Sequence, residues 1–437
     1  VIGFLASAFE RRSRVTGSWS LKDPATSELF GGLRANASGQ NVTPDSALRT
    51  SAVYCCVSVL SETLASFPKH IKMLRDDGGK DIVRNHRCYT LLHDRPNQWQ
   101  SSFEFFEMME GHRQLRGNAY ARIIYFPGMK RNEVVPMHPD TVTPFVITPK
   151  GTALYLYDTS PPPPPGSKLW YQHTSSDGET EYLSASEVVH VRGYTINGIV
   201  GISPIKWAAY QAVGLAMATE EHGARLFANG AQIGKVFKHP KQLSDKAHNH
   251  LKEQLNAGGE YAGSWNAHRS LIIEEGMDIA KISMTSEESQ FLETRKFQVE
   301  DIFRIFKVPL MLGAAGDKAP TFASAEQFMT LFRVNTMSPN VVRWESALNR
   351  DLLFSSEVGR YEVDMDMDSL MRGDVSARAA YLKARFEMAS MSPDGVRLYE
   401  GENPTGTEEG QQVYLQSGMM PARMAGMKPA VKEKTGQ

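Results

Sequence analysis

Ser203 follows Gly201-Ile202 and precedes Pro204, with His190 a short way upstream; this is the chain's nearest approach to an activated nucleophile. The first three residues fit a nucleophile elbow, but Ile205 stands where its closing glycine belongs and Pro204 follows the serine. Serine before proline is also a good helix start, with a capping hydroxyl and a proline at the first helical position. Capping accounts for Ser203 in full, so a serine hydrolase is kept only as the enzyme alternative. Phosphate chemistry would need a glycine loop running into Lys-Ser or Lys-Thr. Neither Gly258-Gly259-Glu260-Tyr261-Ala262-Gly263 nor the loop at Gly313 does so, which argues against ATP hydrolysis. His248 and His250 are two apart on an expected helix and point to different faces, so they do not chelate one ion. Asp364, Asp366 and Asp368 share one face of an expected strand. They lack the glycine and closing glutamate of a calcium loop and read as an acidic edge. Arg372-Gly373-Asp374 is an adhesion tripeptide by letter, with Asp374 better explained as a helix cap. Cys55, Cys56 and Cys88 are odd in number, and the adjacent pair lies in an apolar helical pattern with Val53, Val57 and Leu60. Buried thiols are the natural reading. No catalytic residue, metal or cofactor is expected.

The elements that carry these residues point to mechanics. Thr285 and Glu288 have capping-box spacing, and Leu292, Val299, Phe303 and Phe306 then recur on one helical face. Lys296, Glu300 and Arg304 alternate in charge on another face. Val308-Pro309 stops that helix. A small, flexible stretch follows from Leu312 to Pro320, and Ser324 with Gln327 offers a second capping box for a helix bearing Phe328, Leu331 and Phe332. Pro339 lies inside that helical pattern, where a missing amide and a ring clash would bend it.

At 437 residues the chain should divide into subregions. Lysine plus arginine number 48 against 49 acidic residues, a near balance that argues against a conventional grip on nucleic acid. No apolar run approaches the roughly 20 residues that span a bilayer. Val1 to Phe9 is apolar, but Arg11, Arg12 and Arg14 come after it, the wrong order for a secretory signal. A membrane-surface helix there is the lesser reading, and the chain is expected to be cytoplasmic when made.

Residues before 41 lack a sustained period. A helix should start at Thr43-Pro44-Asp45 and stop at Pro68, followed by a strand from Lys69 to Leu74. Phe103 to Leu115 is read as a helix with Phe103, Phe106, Met108 and Met109 inward. Strands and turns follow to Arg192, interrupted by Pro161 to Pro165, read as a stiff loop tip over a polyproline ligand. The helix from Ser203 to Asn229 is rich in alanine and glycine and should admit a close neighbour. Gly234 to Lys238 and Ser270 to Glu274 read as strands around a helix from Ser244 to Ala257. Tyr361 to Met367 alternates as a strand, Asp374 and Ser392-Pro393 start two helices, and periodicity fades near Asn403.

Five pieces of this pattern stand in one order: Asn41-Val42-Thr43-Pro44 with Ser51-Ala52-Val53-Tyr54; Leu91-Leu92 with Pro96-Asn97; Gly117-Asn118-Ala119-Tyr120; His190-Val191-Arg192 with Gly201-Ile202-Ser203-Pro204; and the helix, loop and kinked helix from Thr285 to Leu353. Together they resemble the portal proteins of tailed double-stranded-DNA bacteriophages, the long flexible-tailed type. The resemblance implies an α+β portal fold. It divides the chain into a flexible arm over 1–40, the first part of an α/β wing over 41–202, a stem helix over 203–230, a small α/β clip over 231–284 and a second stem helix over 285–309. A tunnel loop over 310–323, a kinked tunnel helix with the wing return over 324–370, a short helical crown over 371–402 and a flexible tail over 403–437 complete it. Asp394-Gly395 stands where the family usually carries Asn-Glu, which blurs the crown boundary. The implied function is a dodecameric ring at one capsid vertex that nucleates head assembly with the major capsid protein and scaffold. That ring would dock terminase, pass double-stranded DNA non-specifically, then bind the head-tail adaptor, in the host cytoplasm during assembly and in the virion afterwards. Gly313, Ala314, Ala315, Gly316, Asp317, Lys318, Ala319, Pro320 and Thr321 would line the channel, Asp317 and Lys318 facing phosphates, with Met311 and Leu312 as anchors. Tyr261, Trp265 and Asn266 would be clip contacts. Another virion structural or scaffold-associated capsid protein is the non-enzymatic alternative.

Overall fold

The computed structural model describes residues 37–125, 132–175, 177–228, 235–238, 278–281, 285–313, 322–367 and 375–414. It divides into two compact units, Val1–Met365 and Asp366–Gln437. The architecture is α+β, with short antiparallel sheets among helices.

The first unit opens with α1 (Pro44–Ala47), where Thr43 and Ser46 cap each other reciprocally. Next comes α2 (Ser51–Ser66), which buries Val53, Cys56, Val57, Leu60 and Leu64 on one face. Phe67 leaves the helix in extended geometry because Pro68 follows it. The chain continues as β1 (Lys69–Leu74), β2 (Lys80–Ile82) and α3 (Tyr89–His93). A Ser101–Glu104 capping box starts α4 (Ser102–Arg116), and Gly117, at φ 78°, ends it. The inward stripe of α4 is Ser102, Phe105, Phe106, Met109, Glu110 and Arg113. Phe103 is 42% exposed and Met108 only half-buried, which corrects the face expected from hydrophobicity alone. The buried pair Glu110 and Arg113 belongs to the core face, and an apolar count overlooks it.

Seven strands follow: β3 (Asn118–Ile124), β4 (Glu133–Met137), β5 (Val142–Ile147), β6 (Ala153–Tyr155), β7 (Lys168–Thr174), β8 (Thr180–Ser184) and β9 (Val188–Arg192). They form two sheets, β4-β3-β9 and β6-β5-β7-β8. Tyr120, Met137 and Val188 from the first share a core with Val142, Tyr171 and Leu183 from the second. Pro161 to Pro165 lie largely exposed in the β6–β7 connection, and β7 resumes soon after them.

Two helices, α5 (Pro204–Trp207) and α6 (Tyr210–Ala228), lead to β10 (Lys235–Lys238), which pairs with β11 (Asp278–Lys281). The strand expected at Ser270–Glu274 and the helix expected over 244–257 lie outside the described residues. The long α7 (Thr285–Phe306) packs on α6. Ala209, Val213 and Ala216 of that region are buried, and Gln298 donates to Thr219 Oγ1 at 3.3 Å. After the short Leu310–Gly313 turn come α8 (Phe322–Leu331), a π turn over Phe332–Met337, and α9 (Ser338–Leu352). The unit closes on β12 (Tyr361–Met365), antiparallel to β1 with Lys69 opposite Met365 and Met73 opposite Tyr361.

The second unit holds α10 (Val375–Glu387), α11 (Pro393–Glu400) and α12 (Glu408–Gln411). Asp394 accepts from the Thr405 amide and hydroxyl, each at 2.7 Å, and Thr407 caps α12. Order thus runs past 403, where periodicity had suggested a loose tail. A side-chain acceptor holds the segment, and no apolar repeat advertises that.

Candidate functional site

Two of the five sequence pieces, Gly117-Asn118-Ala119-Tyr120 and His190-Val191-Arg192 with Gly201-Ile202-Ser203-Pro204, converge on one joint between the sheets and the start of the long helices. Asn118 grips the backbone of Gly201 twice, its Oδ1 accepting from the Gly201 amide at 2.7 Å and its Nδ2 donating to the Gly201 carbonyl at 2.8 Å. The Gly193 amide donates to the Gly117 carbonyl at 2.7 Å. A Cβ on Gly201 would lie far inside contact distance of the Gly117 oxygen, so only glycine admits this approach. His190 is fully buried. Its Nε2 sits 3.0 Å from Asn118 Oδ1 and its Nδ1 3.1 Å from the Tyr171 hydroxyl. Because Asn118 Oδ1 only accepts, Nε2 carries the proton and Tyr171 donates to Nδ1. Burial, reinforced by Arg192 and Arg350, holds the imidazole neutral, far below its ordinary range.

Ser203 caps α5. Its Oγ donates to the Leu115 carbonyl at 2.6 Å and accepts from the Lys206 amide at 3.2 Å. The hydroxyl proton and the imidazole are both committed to structural partners, so Ser203 and His190 form a joint and not a catalytic pair. Among the described residues no group of three or more His, Cys, Asp or Glu side chains could hold a metal ion. No helix among them is long and apolar enough to cross a membrane.

The second element is a knee between α7 and α9. Lys307 adopts the left-handed conformation, φ 58°, and ends α7, with the Lys307 amide donating to Arg304 and the Val308 amide to Phe303. Thr336 of the π turn donates to the Lys307 carbonyl at 2.6 Å, fastening the two helices at their bend. The π turn is the local answer to Pro339. Proline has no amide and its ring crowds the preceding turn, so the helix widens just before it. The Ser338 amide reaches back five residues to the Arg333 carbonyl.

A buried polar network pins α9 to α4. Arg113 donates to Glu110 Oε2 at 2.8 Å and Oε1 at 2.5 Å, and to Asn340 Oδ1 at 2.9 Å. Glu110 also accepts from Gln114 at 2.7 Å and from the Trp344 indole at 2.8 Å. Every lone pair aimed inward has a donor, the condition under which a buried ion pair specifies one arrangement. None of Glu110, Arg113, Asn340 or Trp344 was singled out from sequence. Their one signal is a Glu-x-x-Arg pair on the apolar face of α4. Beside the knee lies a cleft of about 330 Å³ whose walls include Tyr194, Trp207, Lys307, Thr336, Asn340 and Arg343.

Of the residues expected at the channel, Gly313 alone is described. It closes the Leu310–Gly313 turn, and a Cβ on it would run into the Phe303 ring and approach Cys55 Sγ. It is therefore packed at the root of the loop. Ala314, Ala315, Gly316, Asp317, Lys318, Ala319, Pro320 and Thr321 lie outside the described residues, as do Tyr261, Trp265 and Asn266.

Comparison with known proteins fits this assembly of joint, long helices and knee. The family model described as phage portal protein matches residues 51–401. The portal protein of Enterobacteria phage HK97 is 29% identical over 367 residues, 83% of this chain and 81% of that one. The probable portal protein of Streptomyces phage phiC31 is 30% identical over 398 residues, 89% of this chain and 81% of that one. In fold, the chain is similar to one in the virion of a native gene transfer agent particle, with TM-score 0.54, 21% identity, and 86% and 99% of the two chains covered. A chain from the neck of the native particle computed with C12 symmetry gives TM-score 0.51 at 22% identity, covering 87% and 100%. On the family match and the relatives' identity over most of both sequences, this chain belongs to the phage portal protein family.

Proposed function

We propose that this portal protein closes into a ring of twelve at one capsid vertex, nucleates head assembly there, and serves as the channel for packaging and ejection of double-stranded DNA. It docks terminase during packaging and the head-tail adaptor afterwards. The observation that carries the reading is the set of large apolar side chains that a single copy leaves uncovered on the long helices. Leu215 on α6 (45% exposed), Phe297 on α7 (56%), Leu331 on α8 (52%) and Val342 on α9 (55%) all face outward from their own chain. Exposed apolar surface repeated along the long helices is what a ring built from adjacent identical copies would bury. The relative in the neck computed with C12 symmetry supports twelve as the ring number.

Within that ring the segment from Ala314 to Thr321 lines the narrowest part of the channel, with Asp317 and Lys318 facing phosphates. Opposed charges on neighbouring positions keep any contact with DNA transient, in line with a chain whose 48 basic and 49 acidic residues nearly cancel. Tyr261, Trp265 and Asn266 form the clip surface that meets terminase or adaptor. Electron microscopy of the purified protein tests the proposal: rings with an axial hole support it, and a compact monomer under all conditions contradicts it.

A further inference from the structure

The cleft beside the knee carries more positive charge than its surroundings use. Arg113 at its floor is satisfied by Glu110 and Asn340. Arg343 and Lys307, also on its walls, have no hydrogen-bonded carboxylate among the described residues. Burial and the nearby Arg113 charge pull the Arg343 guanidinium below its usual range; the Glu110 carboxylate opposes this but is hydrogen-bonded to Arg113, Gln114 and Trp344, not to Arg343. The remaining wall is aromatic. Trp207 is 47% exposed yet fixed, its indole donating to Asp158 Oδ2 at 2.9 Å, and Tyr194 is 66% exposed. An anion beside an apolar group is the chemistry this wall would accept.

The same chain presents that chemistry on the outer face of α7. Phe297 is 56% exposed, and Glu300, one turn further on and also exposed, has no partner among the described residues. Both point away from the Gln298, Ile302 and Phe306 side that packs on the rest of the chain. A rotation about a ring axis keeps each residue at its own height. Glu300 lies seven residues before Lys307, about 10 Å along the helix at 1.5 Å per residue, so the contact requires the two long side chains and the inclination of α7 together to span that height. On the ring reading above, we propose that Phe297 and Glu300 of each copy seat in the Trp207–Lys307–Arg343 cleft of its neighbour. Phe297 would lie on the Trp207 and Tyr194 side, with the Glu300 carboxylate between the two cations. The contact is heterologous, as a closed ring requires. It also bears on the knee itself, so seating a neighbour would fix the angle between α7 and α9.

Charge reversal tests it. Arg343→Glu and Glu300→Arg should each lower the ring fraction at least tenfold at matched protein concentration, measured by mass photometry. The double variant Arg343→Glu/Glu300→Arg should restore rings to near the wild-type fraction. Thermal melting of each variant shows that the subunit still folds, and Lys307→Gln gives a milder loss without reversing charge. Rings at wild-type yield from either single reversal, or a double variant no better than the singles, overturns the pairing while leaving the portal ring intact. Normal rings that retain DNA less well would assign the cleft to nucleic acid and likewise overturn it. Wild-type protein that forms no ring under any condition removes the ring reading and this contact with it.

Discussion

Lys69 is 2% exposed, with its ammonium donating to the Ala65 carbonyl and lying 4.4 Å from the Phe106 ring centre. No carboxylate pairs with it among the described residues, and burial pulls its pKa from 10.5 to about 7. The folded chain therefore binds fewer protons than the unfolded chain between those values, so stability rises with pH across that window. Below about pH 7 the full penalty applies, on the order of a few kcal/mol at about 1.4 kcal/mol per unit. Lys69→Met should raise the melting temperature at pH 6, with the advantage shrinking toward pH 10. An advantage that stays constant over that range would show the lysine to be charged or exposed throughout. Asn118 makes a second residue-scale prediction. Asn118→Ala leaves the Gly201 amide and carbonyl and the His190 Nε2 proton without partners inside the joint. The expected loss is about 3 kcal/mol or more in chemical denaturation, for three orphaned buried groups at roughly 1–3 kcal/mol each. A loss under 0.5 kcal/mol would mean that the joint holds without this clamp.

Among the elements, the knee is where sequence and geometry meet most closely. Pro339 predicted a bend, and the structure answers with a π turn ahead of it. Pro339→Ala restores an amide and removes the ring, so α8 and α9 can run on as one α-helix. The subunit should then melt at or above the wild-type temperature, while ring yield falls because α8 rotates relative to α9. Unchanged ring yield would show that the bend is not needed for assembly. Much of this was legible because proline, glycine and capping residues act locally: Thr43, Ser203 and Ser392 all cap helices where the sequence places them. What the sequence hid were polar partners distant along the chain. The Glu110–Arg113–Asn340 network and the Asp394–Thr405 tie depend on a meeting of segments that no local period encodes. The inward face of α4 was misjudged for that reason, since two of its core positions are charged. The pairing of β10 with β11 was likewise illegible, because two four-residue strands separated by a long insertion offer no register signal.

For the whole molecule, the long helices join the sheets at the Asn118–Gly201 joint and bend at the Lys307–Thr336 knee, and the proposed channel loop lies between α7 and α8 in sequence. If that loop lines the channel, Lys318→Ala should assemble rings with a melting temperature near wild type, because surface substitutions usually change stability by less than about 0.5 kcal/mol. Its effect should appear in an in vitro packaging assay, as altered packaging or retention. Lys318→Glu should do more, because each copy would bring a negative charge to the phosphates at short range, where screening is weakest. Failure of both to assemble would make the loop structural. On the proposed function identical copies close around a DNA-sized channel, and cryo-electron microscopy of the purified wild-type chain is the decisive experiment. Axial views should show twelve equivalent subunits around an open hole, the long helices lining it and the Phe297 face of each copy covered by its neighbour. Particles that stay monomeric, or that associate without an axial channel while the subunit remains folded, would contradict it.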